Sequence, residues 1–187
     1  MELSEIIGKI KGKKVLVLGD MIFDKRITGQ CTKISPEAPV PMLEVESESY
    51  FSGGAANIIN NLHSLGAEVA IATAIGDDPE GSYLIREIEK MGVDSHGVFR
   101  DRKRITTMVT RVLTSDDYQL LRLERAEDKK IDNEITAKLT NYIKNEMSVS
   151  DVLLIADYGK GVVTQDLVSS VIKIAREHNK KVVVNPK

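Results

Sequence analysis

The chain has 187 residues, a formal net charge of −2, and is 42% hydrophobic and 29% charged, which suits a globular chain with one sizeable core. No basic surplus or aromatic-interleaved Lys/Arg run suits nucleic acid, and no apolar run approaches the roughly 20 residues of a membrane-crossing helix. The single cysteine, Cys31, cannot form an internal disulfide, and the acidic N-terminus leads into no apolar signal region; both fit a cytoplasmic protein.

In chain order, residues 14–18 (Lys-Val-Leu-Val-Leu) form a short apolar, β-branched run, the pattern of a buried central strand. It ends in Gly19-Asp20, with Asp24 close behind. Ligands of open α/β sheets sit outside the carboxyl ends of strands, so these two acids are candidates to accept bonds from sugar hydroxyls. The alternative is a turn cap and a solvated carboxylate. Residues 26–45 cannot be a helix, because residues 34–41 carry three of the five prolines. Strands are expected over residues 26–32 and 42–46, in a small appended sheet able to cover a pocket, or else in a plain surface loop.

At residues 52–57 (Ser-Gly-Gly-Ala-Ala-Asn) an extended segment turns into a helix expected over 55–65, with Ala55, Ile58, Ile59, Leu62 and Leu65 on one face. Gly53 and Gly54 let the backbone approach a ligand, and the free amides of the helix start suit hydroxyls or anions. Asn57, one turn in, can donate and accept toward a polyol. Close packing alone would also explain the glycines.

A second core strand is expected over residues 68–75, and Asp78-Pro79 opens a helix reaching Met91 with Leu84, Ile85, Ile88 and Met91 inward. Residues 98–99 suit a short strand. Residues 105–113 and 118–124 read as a hairpin around Thr114-Ser115-Asp116-Asp117, completing the small sheet. Gln119, Leu121 and Leu123 should share one face, and Leu120, Arg122 and Glu124 the other. Arg111 and Arg122 are candidate anion contacts, or merely solvated charges. Residues 131–147 carry the clearest helical stripe; residues 151–156 make a core strand ending in Asp157-Tyr158-Gly159-Lys160-Gly161. Thr164 caps a helix to His178 with Leu167, Val168, Val171, Ile172 and Ala175 inward, and residues 181–184 form a last strand before Asn185-Pro186-Lys187.

Alternating strands and helices call for a doubly wound parallel sheet. Its strand ends deliver Asp20 and Asp24, Asp78, Asp157 and Lys160, and Asn185 and Lys187, a set that suits one shared polyol or anion site. His63, His96 and His178 lack metal-ligand spacing, no metal site is expected, and Cys31 reads as an idle thiol.

With those motifs in place, the chain resembles the ribokinase-like (PfkB) carbohydrate kinases, and within them the heptose 7-phosphate kinase branch of lipopolysaccharide-core biosynthesis. The resemblance rests on residues 19–24 (Gly-Asp-Met-Ile-Phe-Asp), 34–41, 53–57, 119–123, 157–161 and 185–187, in the family's order from about residue 14 onward. The first-strand and glycine motifs mark the superfamily; residues 34–41 and 157–161 are specific to the heptose branch. The resemblance implies a ribokinase-like fold with a core (1–25, 46–100, 126–187), a β lid (26–45, 101–125) and the C-terminal half of the fold absent. It implies that Asp24, Gly54 and Asn57 hold sugar hydroxyls, with Asp20 and Gly53 beside them, and that Asp157 contacts the substrate. By their position and charge, Lys160, a further candidate for substrate binding, and Lys187 would lie near phosphate groups, with Asn185 beside Lys187. It further implies ATP with Mg²⁺, a sugar-phosphate substrate, a homodimer clasped through the lids, and no nucleic-acid or membrane partner.

Two positions depart from the branch pattern: Val109 stands where a lysine is common, and Asn185 where aspartate is usual. The family's Gly-Ala-Gly-Asp motif, with its anion site and catalytic base, is also absent. The expectation is therefore a piece of a longer kinase, inactive alone, since losing the base costs about 10²–10⁴-fold. Another sugar or nucleoside as substrate, or a non-catalytic sugar-binding or dimerisation module, are the alternatives.

Overall fold

The computed structural model describes residues 2–127 and 129–187. In chain order its elements are α1 (Leu3–Gly8), β1 (Lys14–Gly19), β2 (Met21–Ile34), β3 (Pro41–Gly54), α2 (Ala55–Ser64), β4 (Glu68–Gly76), α3 (Pro79–Lys90) and β5 (Val98–Asp101). There follow β6 (Met108–Thr114), β7 (Gln119–Arg125), α4 (Asn133–Met147), β8 (Val152–Ala156), α5 (Gln165–Glu177) and β9 (Lys181–Asn185).

The core sheet has the order β5-β4-β1-β8-β9, and each neighbouring pair runs parallel. Strand alternation divides β1 between two layers. Leu16 and Leu18 pack with α4 (Ile135, Leu139, Ile143) and α5 (Leu167, Val171), whereas Val15 and Val17 pack with Ile59 of α2 and Leu84 and Ile88 of α3. Helices on both faces make the sheet doubly wound, as the alternation of elements predicts. The helix starts are fixed by side chains: Asp78 Oδ1 accepts from Gly81 N–H at 2.8 Å, Asp132 Oδ1 from Ile135 N–H at 3.0 Å, and Thr164 Oγ1 from Leu167 N–H at 3.3 Å. Each such cap contributes about 1 kcal/mol.

The second sheet has the order β3-β2-β6-β7, mixed in direction: β2 and β6 are parallel, and the two outer pairs antiparallel. Its strands reach further than the sequence suggests. Composition marks only residues 26–32 and 42–46, yet β2 begins at Met21 and β3 continues to Gly54. Long-range pairing extends them, so Asp24 stands on the second sheet and not at the end of a core strand. Smaller corrections follow the same logic. Ile131 is buried ahead of α4, whose cap is Asp132. Leu65 ends α2 exposed instead of inward. In β7 a bulge leaves Leu120 unpaired and sets Gln119 opposite Leu113, so Gln119 joins the Arg122 and Glu124 face.

Candidate functional site

The glycine turn positions the first group. Gly54 sits at φ +60° and ψ −133°, and a Cβ there would collide with the Asp20 carbonyl, which accepts the Ala55 N–H at 2.9 Å. Only glycine fits that close approach. Gly53 pairs with Ile22 and Gly54 with Met21, bringing the start of α2 against the root of β2. Asn57, in the first turn, is exposed.

Asp20 has a different job from the direct sugar contact expected of it. The residue is 1% exposed; Oδ2 accepts the N–H groups of Tyr158 at 3.0 Å and Lys160 at 3.2 Å, and Oδ1 that of Val162 at 3.0 Å. Its oxygens are committed to the loop after β8. The same loop is gripped by Arg104, which donates to the Lys160 carbonyl at 3.0 Å and to the Lys129 carbonyl at 2.7 Å. Gly161, at φ +88°, lets the loop pass the Lys129 carbonyl, where a Cβ would not fit. No periodicity marks Arg104, and sequence reasoning missed it; its position outside the expected strands was the sole signal.

The loop presents Asp157, whose Oδ1 accepts the Gly159 N–H at 2.8 Å while its own N–H donates to the Asn185 carbonyl at 3.0 Å. Asn185 thus contributes backbone, and the Lys187 side chain lies across Gly159. Asp78 is removed from the shared set. Besides capping α3, it accepts from Thr106 N–H at 2.7 Å and from Thr106 Oγ1 at 2.6 Å. Burial alone would push its carboxyl up, but those bonds, with Gly81 N–H and the Arg125 charge, outweigh it and hold the carboxyl below its ordinary range.

Facing the loop is one side of the second sheet. Asp24, Val109 and Glu124 stand in register on β2, β6 and β7 and share that side. Asp24 Oδ2 is paired with Arg111 Nη1, and Oδ1 is buried without a partner. Lys160 of the loop is paired with Glu124, whose carboxyl it holds below the ordinary range. Arg122 Nη2 lies 3.7 Å from the same carboxylate. The sheet and the loop therefore bring Asp24, Arg111, Arg122, Glu124 and Lys160 to one side of the sheet, while the contacts of Asp157 and Lys187 are with Gly159 and, through the Asp157 N–H, the Asn185 carbonyl. A hollow of about 590 Å³ on the sheet's other side, lined by Phe23, Lys25, Tyr50, Tyr83, Met108 and Leu123 among others, contains none of the expected site residues. Among the described residues, no cluster of three or more His, Cys, Asp or Glu side chains could hold a metal ion, and no helix is long and apolar enough to cross a membrane.

The arrangement can do two things chemically. Asp24 Oδ1 can accept a bond from a hydroxyl, and the cationic side chains around it can meet an anion. Comparison with known proteins gives these features a context. Residues 13–187 match the pfkB family carbohydrate kinase domain. The chain is 38% identical over 175 residues to the bifunctional protein HldE of Helicobacter pylori, covering 94% of this chain. It is 37% identical over 185 residues to the bifunctional protein HldE of Syntrophotalea carbinolica, covering 99% of this chain. In both comparisons the chain spans 38% of the relative's length. Among solved structures, a carbohydrate kinase from Agrobacterium tumefaciens superposes with a TM-score of 0.69 at 26% identity, over 92% of this chain and 53% of that one. The fold alone is shared with the tetrameric inhibited form of phosphofructokinase-2 from Escherichia coli, with a TM-score of 0.71 at 16% identity over 94% and 55% of the two chains. The match along nearly the whole chain, on a doubly wound core with a second sheet beside its strand ends, shows that this chain belongs to the pfkB family of carbohydrate kinases.

Proposed function

We propose that the protein is an ATP-dependent kinase that phosphorylates the 1-position hydroxyl of D-glycero-D-manno-heptose 7-phosphate, with this chain supplying the sugar-binding half. The observation that carries the reading is Asp24 Oδ1, buried and without a hydrogen-bond partner on the side of the sheet that faces the loop after β8. An unsatisfied buried acceptor costs about 1–3 kcal/mol, and a sugar hydroxyl would remove that cost. Asp24, Gly54 and Asn57 orient the sugar, Asp157 approaches it from the loop, and Asp20 acts indirectly by holding that loop. Similarity to the HldE proteins, and the heptose-branch strings at 34–41 and 157–161, favour the heptose over other sugars.

ATP would supply the phosphoryl group, and Mg²⁺ would neutralise charge on its phosphates. Among the described residues no cluster of three or more His, Cys, Asp or Glu side chains could hold that ion. The outward side of the second sheet exposes Val45, Tyr50, Leu121 and Leu123, an apolar surface suited to the same sheet of a second subunit. A cytoplasmic setting, where ATP is present, goes with this reading.

The test is ADP release by the full-length protein across heptose 7-phosphate, unphosphorylated heptose, sedoheptulose 7-phosphate, ribose and adenosine. Highest kcat/KM for heptose 7-phosphate is expected; a preference for ribose or adenosine sinks the assignment. Val109 and Asn185 favour a second reading, a kinase for a different sugar, and the same panel separates the two.

A further inference from the structure

The chain passes between the core and the second sheet at Asp20 (β1 to β2), at the Gly54 turn (β3 to α2), over residues 102–107 (β5 to β6) and between β7 and α4. The first and the last two of these passages close on the loop after β8. Asp20 accepts the loop's N–H groups at Tyr158, Lys160 and Val162. From the passage into β6, Arg104 Nη1 donates to the Lys160 carbonyl at 3.0 Å, and Nη2 reaches across to the Lys129 carbonyl at 2.7 Å. From the passage into α4, the Ile131 N–H donates to the Gly161 carbonyl at 3.0 Å. Lys160 is thereby held at both backbone polar groups, its N–H by Asp20 and its carbonyl by Arg104, while its ammonium is paired with Glu124 of β7. Two buried charges of opposite sign fix the one residue that reaches from the loop to the second sheet.

Stability alone is a poor reason for Arg104 to be there. Its side chain is 6% exposed, and burial pushes the guanidinium's pKa down against the charges of Asp101, Asp20 and Glu127. Asp101 Oδ2 stands off at 4.0 Å from Nε, which is buried without a hydrogen-bond partner. Arginine stays charged, and a buried charge without a closely bonded carboxylate is weak evidence for stability. What the planar fork does supply is a fixed spacing between two carbonyls, which a flexible ammonium does not. We propose that Arg104 is a positioning residue: with Asp20 it sets the backbone of Lys160, so that the Lys160–Glu124 pair holds the second sheet at a fixed distance over the sugar site. The proposal rests on the sugar-kinase reading above. Asp24 stands on that sheet and Asp157 on the clamped loop, so the clamp governs how the two are placed about one sugar. A misplacement of about 1 Å costs on the order of 100-fold in rate, even when its source is far from the chemistry.

The experiment combines steady-state kinetics on heptose 7-phosphate and ATP with amide hydrogen exchange, on the full-length protein well below its melting midpoint. The variants are Arg104→Gln, Arg104→Lys, Glu124→Gln and the double variant Arg104→Gln with Glu124→Gln. Arg104→Gln should raise KM for the sugar phosphate about 10- to 100-fold with KM for ATP unchanged, whereas a merely weakened fold lowers the active fraction and so kcat alone. Arg104→Lys should recover part of the loss. Arg104 bonds to the backbone of Lys160 and Glu124 to its ammonium, so the two losses should not add, and the double variant should be no worse than the poorer single. In exchange, Arg104→Gln should lose protection at Tyr158, Lys160 and Val162 and, beyond them, along β7. Asp132→Ala, which removes the cap of α4, is the comparison, with a lower midpoint and unchanged KM. A lower midpoint with unchanged sugar KM in Arg104→Gln, additive losses, an equal KM rise in Asp132→Ala, or lost protection that stops at the loop would each overturn the clamp. Should Arg104→Gln fail to fold, Arg104→Lys with Glu124→Gln closes the same cycle. A wild type that turns over no heptose 7-phosphate, with the exchange signature present, would keep the clamp and discard the heptose reading.

Discussion

Replacing Asp20 tests how the loop carrying Asp157 and Lys160 is held. Three backbone N–H groups, at 3.0, 3.2 and 3.0 Å, end on a carboxylate that is 1% exposed. Bonds to a charged acceptor contribute about 1.5–3 kcal/mol each, but they share one group and do not add fully. Asp20→Ala strands all three amides and should cost about 4 kcal/mol. Asp20→Asn is gentler: with its oxygen in the Oδ2 position it keeps the Tyr158 and Lys160 bonds and sets an NH₂ against the Val162 N–H, for about 2 kcal/mol. At roughly 2–4 °C per kcal/mol in a domain of this size, Asn should lower the melting midpoint by about 4–8 °C, and Ala by about twice that. Thermal denaturation by circular dichroism gives the midpoints. Amide hydrogen exchange supplies the specific signature, a loss of protection at Tyr158, Lys160 and Val162 larger than the global change. An Asp20→Asn protein with wild-type midpoint and wild-type protection at those amides would refute the reasoning.

Asp24→Asn should lower kcat/KM of the full-length enzyme by about 10- to 100-fold with a native dichroism spectrum, and an unchanged rate would remove Asp24 from the sugar site. Gly54→Ala must place a Cβ on the Asp20 carbonyl in a backbone region that side chains rarely adopt, so urea unfolding should report a loss of at least ~2 kcal/mol. Asp78 has its folded pKa depressed, so its stabilisation is present above about pH 4 and lost as pH falls through the folded value. Asp78→Asn should therefore flatten the acid limb of a melting-temperature profile; an equally steep limb would exclude this group as its source. For the proposed dimer, Leu121→Glu on the outward side of the second sheet should shift sedimentation velocity from dimer to monomer, whereas a wild-type monomer or an unchanged distribution would overturn that interface.

The sequence alone determined the layers. Alternating apolar runs and helical stripes marked the core strands and the inward faces of α3, α4 and α5, because those patterns repeat every two or every 3.6 residues and are local. Proline and glycine marked where helix was forbidden and where the backbone must bend at Gly54, again through the constraints of single residues. The functional side chains were only half legible. Asp20 was named as a sugar contact because a carboxylate at a strand end usually faces the cleft, but its partners lie 138 to 142 residues away, and no local pattern records that distance. Arg104 and the pairing of Lys160 with Glu124 were invisible for the same reason. Register between strands is set by packing and by the hydrogen-bond ladder, and shifting it by one residue would send each side chain to the other face. Tertiary structure decided which charges meet; the sequence had decided only which charges there were.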